Sequence, residues 1–302
     1  MDQLTSMRLF VRVVQTGSFT GVARESGVSQ SSVSKHLAAL ESSLGTRLLS
    51  RTSRKQSLTE VGSDYYERCL HILADVDEAK RAATSMVSIP NGTLRVSVPV
   101  SFGQRHIIPH MPEFMRNYPD IKLNIMLMDR NVDLVADGID VAVRIGALED
   151  SALIARRLGD SPRLVVASKA YLDSRGRPAH PDDLKGHNCL IYTLLSTMNI
   201  WHYQHEGNKG SVQVSGTFQA NNSDAVLQMA LAGCGIMVMP KWMSDTYIFD
   251  GRLETILTDY TFQEVPIQAV YLDKRYVPSK VSSFVSFLQN SYAGDALLHH
   301  QP

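Results

Sequence analysis

The stretch Gly17-Ser-Phe-Thr-Gly-Val-Ala-Arg-Glu-Ser-Gly-Val-Ser-Gln-Ser-Ser-Val-Ser-Lys-His-Leu37 decides how the N-terminal part of this chain is read. Before it, Leu4, Met7, Phe10 and Val14 stand three or four residues apart and make one apolar helix face, which Gly17 brings to an end. Ser18 can cap a short second helix carrying Val22 and Ala23, and Gly27 then breaks the chain. Ser29 can cap a third helix whose apolar side is Val33, Leu37, Leu40 and Leu44. Opposite that side stand Ser31, Ser34, Lys35 and Ala38, all short or basic. Two short helices joined by a glycine turn, the second with a small polar outer face, predict a helix-turn-helix. Short side chains let a helix backbone approach base edges in the major groove, and Lys35 brings charge and donors.

Working outward, Gly45 ends the third helix. The run Thr46-Arg-Leu-Leu-Ser-Arg-Thr-Ser-Arg-Lys-Gln-Ser-Leu58 alternates loosely between apolar and basic residues, as a two-stranded wing would. Arg51, Arg54 and Lys55 fall at or near its tip, where phosphates or the minor groove are met. The charge balance agrees. The 302-residue chain is neutral as a whole, yet residues 1–62 hold eight basic side chains against four acidic ones. A basic module on a neutral protein is the footprint expected of a phosphate-facing surface.

From Thr59 to about Met86 there is no proline, and the apolar or small positions Tyr65, Cys69, Ile72, Val76, Ala79, Ala83 and Met86 are spaced alternately four and three apart. That is the rhythm of a heptad seam, and it predicts a long helix that pairs two copies of the chain. All twelve prolines lie at or beyond Pro90, so the helical part is expected to end at the Pro90–Gly92 break. Beyond it strands and helices alternate. Strand Leu94–Val98, a helix running through Tyr118, strand Ile121–Met128, a short helix Val132–Asp137 and strand Ile139–Ile145 read as a βαβαβ unit with a parallel sheet. Similar signals recur after Pro162, with strands at Leu164–Ala167, near 189–192, 200–205 and 211–219 and at Ile236–Met239 and helices over 181–184 and 223–233, and Ile267–Leu272 with a helix over 279–290 reads as a return to the first sheet. The expected domains are 1–62 for DNA binding, 63–88 for the linker and dimerisation helix, and 93–302 for an α/β domain. Its lobe I spans 93–162 and 267–302, and its lobe II 163–266.

Taken together these segments resemble the LysR-type transcriptional regulators. The resemblance rests on Gly17–Ala23, Val28–Leu37, Leu40–Gly45 and Arg51-Thr with Leu58-Thr-Glu-Val-Gly62. In the α/β part it rests on Asp129–Gly146, Ala155–Gly159, Asp183–Leu190, Ala220-Asn-Asn222 and Ala232–Ile236. Leu49-Ser50 stand where the family usually has Phe-Glu, Ser31 where proline is frequent, and Lys35 where arginine is frequent. Lysine cannot reproduce the planar bidentate fork of arginine.

The resemblance implies a winged helix-turn-helix joined by a linker helix to a two-lobed, periplasmic-binding-protein-like effector domain. It implies a homotetramer built from dimers, with double-stranded DNA, a small-molecule effector and RNA polymerase as partners. Gln30, Ser31, Ser34, Lys35, Arg51 and Arg54 are the expected DNA contacts, with Ser31, Ser34 and Lys35 toward bases and Gln30, Arg51 and Arg54 toward phosphates or the minor groove. Ser101, Phe102, Gly103, Asp129, Arg144, Trp201, Asn222 and Ser223 are the expected effector contacts. A helix N-terminus at Ser101 would suit the carboxylate of an organic acid.

Composition narrows the alternatives. Hydrophobic residues make up 44% and charged residues 20%, an ordinary globular balance with room for two domains. No run of about 18 apolar residues suggests a membrane span, and Met1-Asp-Gln-Leu4 does not read as a secretory leader. A cytoplasmic protein is therefore expected. The three cysteines, Cys69, Cys189 and Cys234, lie far apart and suggest neither a zinc site nor a disulfide framework. Neither G-x-S-x-G nor G-x-G-x-x-G nor a P-loop is present, His106 and His110 are separated by Pro109, and His202 and His205 fall on opposite strand faces. An enzyme is not expected, nor a metal or cofactor. The rival reading is a solute-binding or enzymatic α/β protein with an accessory helical domain.

Overall fold

The structure is a computed structural model, and it describes residues 2–51, 56–84, 89–146, 153–195, 197–272 and 277–293. The chain divides into two compact units, Met1–Ile89 and Pro90–Pro302.

The first unit is built from α1 (Gln3–Thr16), α2 (Phe19–Glu25), α3 (Gln30–Leu44), β1 (Leu49–Arg51), β2 (Gln56–Leu58) and α4 (Glu60–Thr84). Its boundaries follow from local chemistry. Asp2 accepts from the backbone N–H groups of Leu4 and Thr5 at the start of α1. Ser18 does the same for Gly21, and Ser29 for Ser32. Gly17 and Gly45 close α1 and α3 at φ of 64° and 68°, the left-handed region that side chains disfavour. The apolar faces of α1, α2 and α3 meet in a core of Phe10, Val13, Val22, Val33, Leu37, Leu40 and Leu48. Leu44, expected on that face, is 38% exposed at the last turn of the helix. β1 and β2 pair antiparallel in the register Leu49↔Leu58.

The second unit holds β3 (Gly92–Val98), α5 (Val100–Phe102), α6 (Met111–Asn117), β4 (Ile121–Leu127), β5 (Val141–Ile145), β6 (Leu153–Ala167), α7 (Lys169–Arg175) and β7 (Ile191–Tyr192). It continues with β8 (Ile200–His205), β9 (Asn208–Gln213), β10 (Gln219–Ala220), α8 (Ser223–Leu231), β11 (Ile236–Pro240), α9 (Lys241–Phe249), β12 (Glu254–Ile256), β13 (Thr261–Leu272) and α10 (Ser279–Tyr292). Among the described residues nine strands join in one sheet, and β3 lies parallel to both β4 and β5 as the βαβαβ order requires. The sheet is otherwise mixed. The two long strands β6 and β13 run antiparallel to each other. β13 also pairs β5 in lobe I and β8 in lobe II, while β6 takes β11 and β12 in lobe II. The strand expected at Leu164–Ala167 is thus the far half of a strand that crosses between lobes.

Three further expectations change. The helix expected to run unbroken to Tyr118 is α5, a wider turn over Gly103–Ile107, a tight turn over Ile108–His110 and then α6. Pro109 and Pro112 deny it the amide hydrogens a continuous helix needs. The short helix expected over Val132–Asp137 is a turn. Asp133 accepts from the amides of Val135 and Ala136, and Asp137 accepts from that of Asp133, so the two carboxylates close the segment on itself as a turn. The single strand expected at 211–219 is divided between β9 and β10.

Candidate nucleic-acid interface and effector cleft

The first unit presents α3 as the sequence requires. Val33, Leu37 and Leu40 are buried, while Gln30, Ser31, Lys35 and Ala38 are exposed and Ser34 is half-buried. Ser31 Oγ lies 2.8 Å from the Oγ of Ser29, which caps the helix, so the first polar group of the outer face is already oriented. Glu41, not singled out from the sequence, accepts from the amides of Leu48 at 2.8 Å and Leu49 at 3.2 Å and fastens the wing to α3. The side chain of Arg51 and all of Arg54 lie outside the described residues. Two members of the basic cluster are committed elsewhere. Arg12 pairs with Glu25 at 2.6 Å and joins α1 to α2, and Arg8 pairs with Asp77 and joins α1 to α4. The charge count alone therefore overstates the surface free to meet phosphates.

The expected seam of α4 needs correction at its start. Cys69 is wholly buried and Tyr65 packs against the same core, with Leu73 alongside. The unit's own helices cover this face, so Cys69 cannot meet a second chain. Burial also pushes the Cys69 thiol up to about 11, which suits a packing residue. Ile72 and Val61 are instead 41% and 50% exposed. At 100° per residue they share a face adjoining the covered one, which positions 76, 79 and 83 continue. The side chains of Ala79 and Ala83, and the whole of Met86, lie outside the described residues.

In the second unit, one end of β3 and the start of α8 meet across the two lobes. Ser101 Oγ lies 2.9 Å from Ser223 Oγ and donates to Asp224 Oδ2 at 2.5 Å. Arg105 donates to the other oxygen of Asp224 at 2.8 Å. Asp129 accepts from the Val100 amide at 2.9 Å and from Asn222 Nδ2 at 3.2 Å, while Asn222 Oδ1 caps α8 through the Ala225 amide. Ser101, Asp129, Asn222 and Ser223 are thus brought together. Arg105 and Asp224 were missed; their signal was the position of Arg105 four residues after Ser101 and of Asp224 next to Ser223.

The other expected effector contacts stand elsewhere. Phe102 is fully buried, stacked on His106 and edge-on to Trp242 and Tyr292, so it is core rather than cleft. Gly103 donates its amide to Pro99, and a Cβ there would come within 2.5 Å of Val98 and 2.6 Å of Leu127, so it serves close packing. Of the N–H groups at this helix start, that of Val100 is taken by the Asp129 carboxylate and that of Gly103 by the Pro99 carbonyl. Arg144 pairs with neither Asp129 nor Asp140 but donates to the carbonyl of Val132 at 2.5 Å, holding the turn that follows β4. Asp140 is taken by the buried Lys280, 3.0 Å away. Trp201 is buried in the lobe II core with Val212, Val214 and Phe262. No helix of the described residues is long and apolar enough to cross a membrane.

Comparison with known proteins adds independent findings. Residues 4–63 match the family described as bacterial regulatory helix-turn-helix protein, lysR family, and residues 88–293 match the LysR substrate binding domain. An HTH-type transcriptional regulator of Haemophilus influenzae is 38% identical over 282 residues, 93% of this chain and 98% of that protein. The HTH-type transcriptional activator TtdR of Escherichia coli K12 is 35% identical over 283 residues, 93% of this chain and 91% of that protein. Among solved structures, CrgA, a LysR-type transcriptional regulator from Neisseria meningitidis, superposes with a TM-score of 0.62 at 32% identity, covering 96% of this chain and 99% of that one.

Proposed function

This chain belongs to the LysR family of DNA-binding transcriptional regulators, which carry an effector-binding domain and are not enzymes, and from that premise we propose how it works. The effector is a small organic acid that binds between the lobes of the second unit, and the working assembly is a dimer of dimers in the cytoplasm. The outer face of α3, with Ser31, Ser34 and Lys35, reads base edges, and Gln30 with the wing residues Arg51 and Arg54 meets phosphates or the minor groove. The single observation that carries the DNA reading is the exposure of Gln30, Ser31 and Lys35 directly opposite a buried apolar face. Contact with RNA polymerase accompanies activation, the activity for which the relative TtdR is named.

The effector reading is supported by the chemistry of the cleft. Asp224 supplies a carboxylate to Ser101 and Arg105 from the opposite lobe. A ligand carboxylate offers the same two acceptor oxygens, so it competes with Asp224 for these donors and changes which lobe contacts are made. A ligand shifts the lobe arrangement only as far as it favours one arrangement over another.

Duplex binding measured at two salt concentrations tests the DNA reading. With several Lys and Arg on phosphates, affinity falls steeply as salt rises, with about 0.9 of a log unit per log unit of salt for each phosphate neutralised. Affinity independent of salt would remove the phosphate-contacting role of the wing.

A further inference from the structure

The base of the wing is held from two sides by groups outside the DNA-contacting set. Leu48, the residue before β1, is wholly buried in the core of the first unit. Its amide donates to Glu41 of α3 at 2.8 Å, and the Leu49 amide donates to the same oxygen at 3.2 Å. On the other side, the Leu48 carbonyl accepts from the Thr59 amide at 3.0 Å. Thr59 stands between β2 and α4, and its hydroxyl is used twice. It donates to the carbonyl of Arg47 at 2.8 Å and accepts from the Gly62 amide at 2.9 Å. One side chain thus ties down the strand that enters the wing and caps the linker helix.

Gly62 lets the helix come this close. A Cβ there would stand 2.0 Å from the Leu48 carbonyl oxygen and 2.8 Å from the carbonyl carbon. Any side chain at this position must therefore drive α4 and the wing apart. The wing has little of its own to resist such a shift. Its two strands are three residues long and pair in the short register Leu49↔Leu58 to Arg51↔Gln56. A two-stranded hairpin by itself is marginally stable, so its direction is set by what grips its base.

We propose that Thr59 and Gly62 are positioning residues for DNA binding: the first turn of the linker helix clamps the base of the wing and sets where Arg51 and Arg54 meet the duplex. A linker helix that turns carries the wing with it, while α3 stays seated on the core through Val33, Leu37 and Leu40. The proposal rests on the wing reading above and adds the residues that aim the wing.

The test is a double-mutant cycle in the full chain, with a duplex that the wild type selects from a randomised pool as the probe. The salt slope of affinity reads phosphate contacts, and repeated selection reads base preference. Thr59→Val keeps the branched shape and removes the hydroxyl. It is expected to make the salt slope shallower by about 0.9–1.8, the loss of one or two phosphate contacts, and to leave the selected sequence unchanged. Thr59→Ser keeps the hydroxyl and the wild-type slope. Gly62→Ala moves the slope in the same direction as Thr59→Val. In a chain already carrying Arg51→Ala and Arg54→Ala, adding Thr59→Val changes affinity by less than about twofold, because a residue that acts through the wing has nothing left to aim.

A wild-type salt slope in Thr59→Val would overturn the clamp. An equal loss of affinity from Thr59→Val with and without the wing arginines would also overturn it, and would make Thr59 a residue of general stability. A changed selected sequence would put the effect of Thr59 on α3 and overturn its role in the wing. If Arg51→Ala with Arg54→Ala leaves the slope at its wild-type value, the wing reading itself falls, and the positioning role falls with it.

Discussion

Lys35 occupies the centre of the exposed face of α3, one turn beyond the capped start at Ser29 and Gln30. Its compact ammonium can reach a guanine edge but cannot form the two parallel bonds of a guanidinium. Lys35→Ala is therefore expected to weaken operator binding by about 1–3 kcal/mol and to relax preference at one base pair. Competition binding against operators varied at each position measures both, and unchanged affinity and preference would take Lys35 out of base readout. The same scale exposes the limits of counting charge. Arg8 and Arg12 look like members of the basic surface, yet each faces a carboxylate, Asp77 and Glu25 respectively. Those partners lie 69 and 13 residues away, and no pattern in the local sequence announces a pairing over such separations.

Helix α4 serves two surfaces, and that is why its sequence was only half legible. A four-three spacing of apolar residues predicts a helix with a seam, and the helix Glu60–Thr84 is there. Spacing says nothing about which chain covers the seam. Cys69 and Leu73 are covered by α1 of the same unit, while Ile72, three residues from the first and one from the second, is left 41% exposed. The N-terminal elements were readable because caps and glycines act within four residues of the groups they satisfy. β6 and β13 were harder to read, because strands buried at one end and paired with different partners at each end have no single period. Exposed Ile72 makes a prediction at this scale. An aspartate there costs the isolated unit little, since it faces water, but in a helix–helix interface it buries a charge. Ile72→Asp is expected to leave the melting profile of the unit nearly unchanged and to shift the light-scattering mass toward the monomer. Operator affinity falls with it, because two half-sites need two tethered heads. A variant of wild-type mass would place the dimer interface on another face.

At the scale of the whole effector domain, the question is what holds two lobes that share only the strands β6 and β13 among the described residues of the sheet. The cross-lobe bonds at the cleft centre on two carboxylates. Asp129 reaches Asn222, and Asp224 takes both the hydroxyl of Ser101 and the guanidinium of Arg105. The Arg105–Asp224 side chains are 32% and 31% exposed, so screening by water keeps that pair to about 1 kcal/mol or less. The Ser101 bond is to a charged acceptor on a buried hydroxyl and contributes about 1.5–3 kcal/mol. Their sum is a latch small enough for a ligand to reverse, which is the requirement for a site that reports on effector concentration. Asp224→Ala removes both bonds at once and leaves the Asn222 cap of α8 in place. Hydrogen exchange is then expected to quicken at the amides of 100–107 and 223–227, by about tenfold for each 1.4 kcal/mol of latch lost, with the β6–β13 amides unaffected. A carboxylate effector should restore protection, because it supplies the acceptor that the substitution took away. Exchange in Asp224→Ala identical to wild type would mean that the lobes are held by the crossing strands and by apolar packing such as Phe102 on Trp242, and the effector would then have to act on those contacts instead.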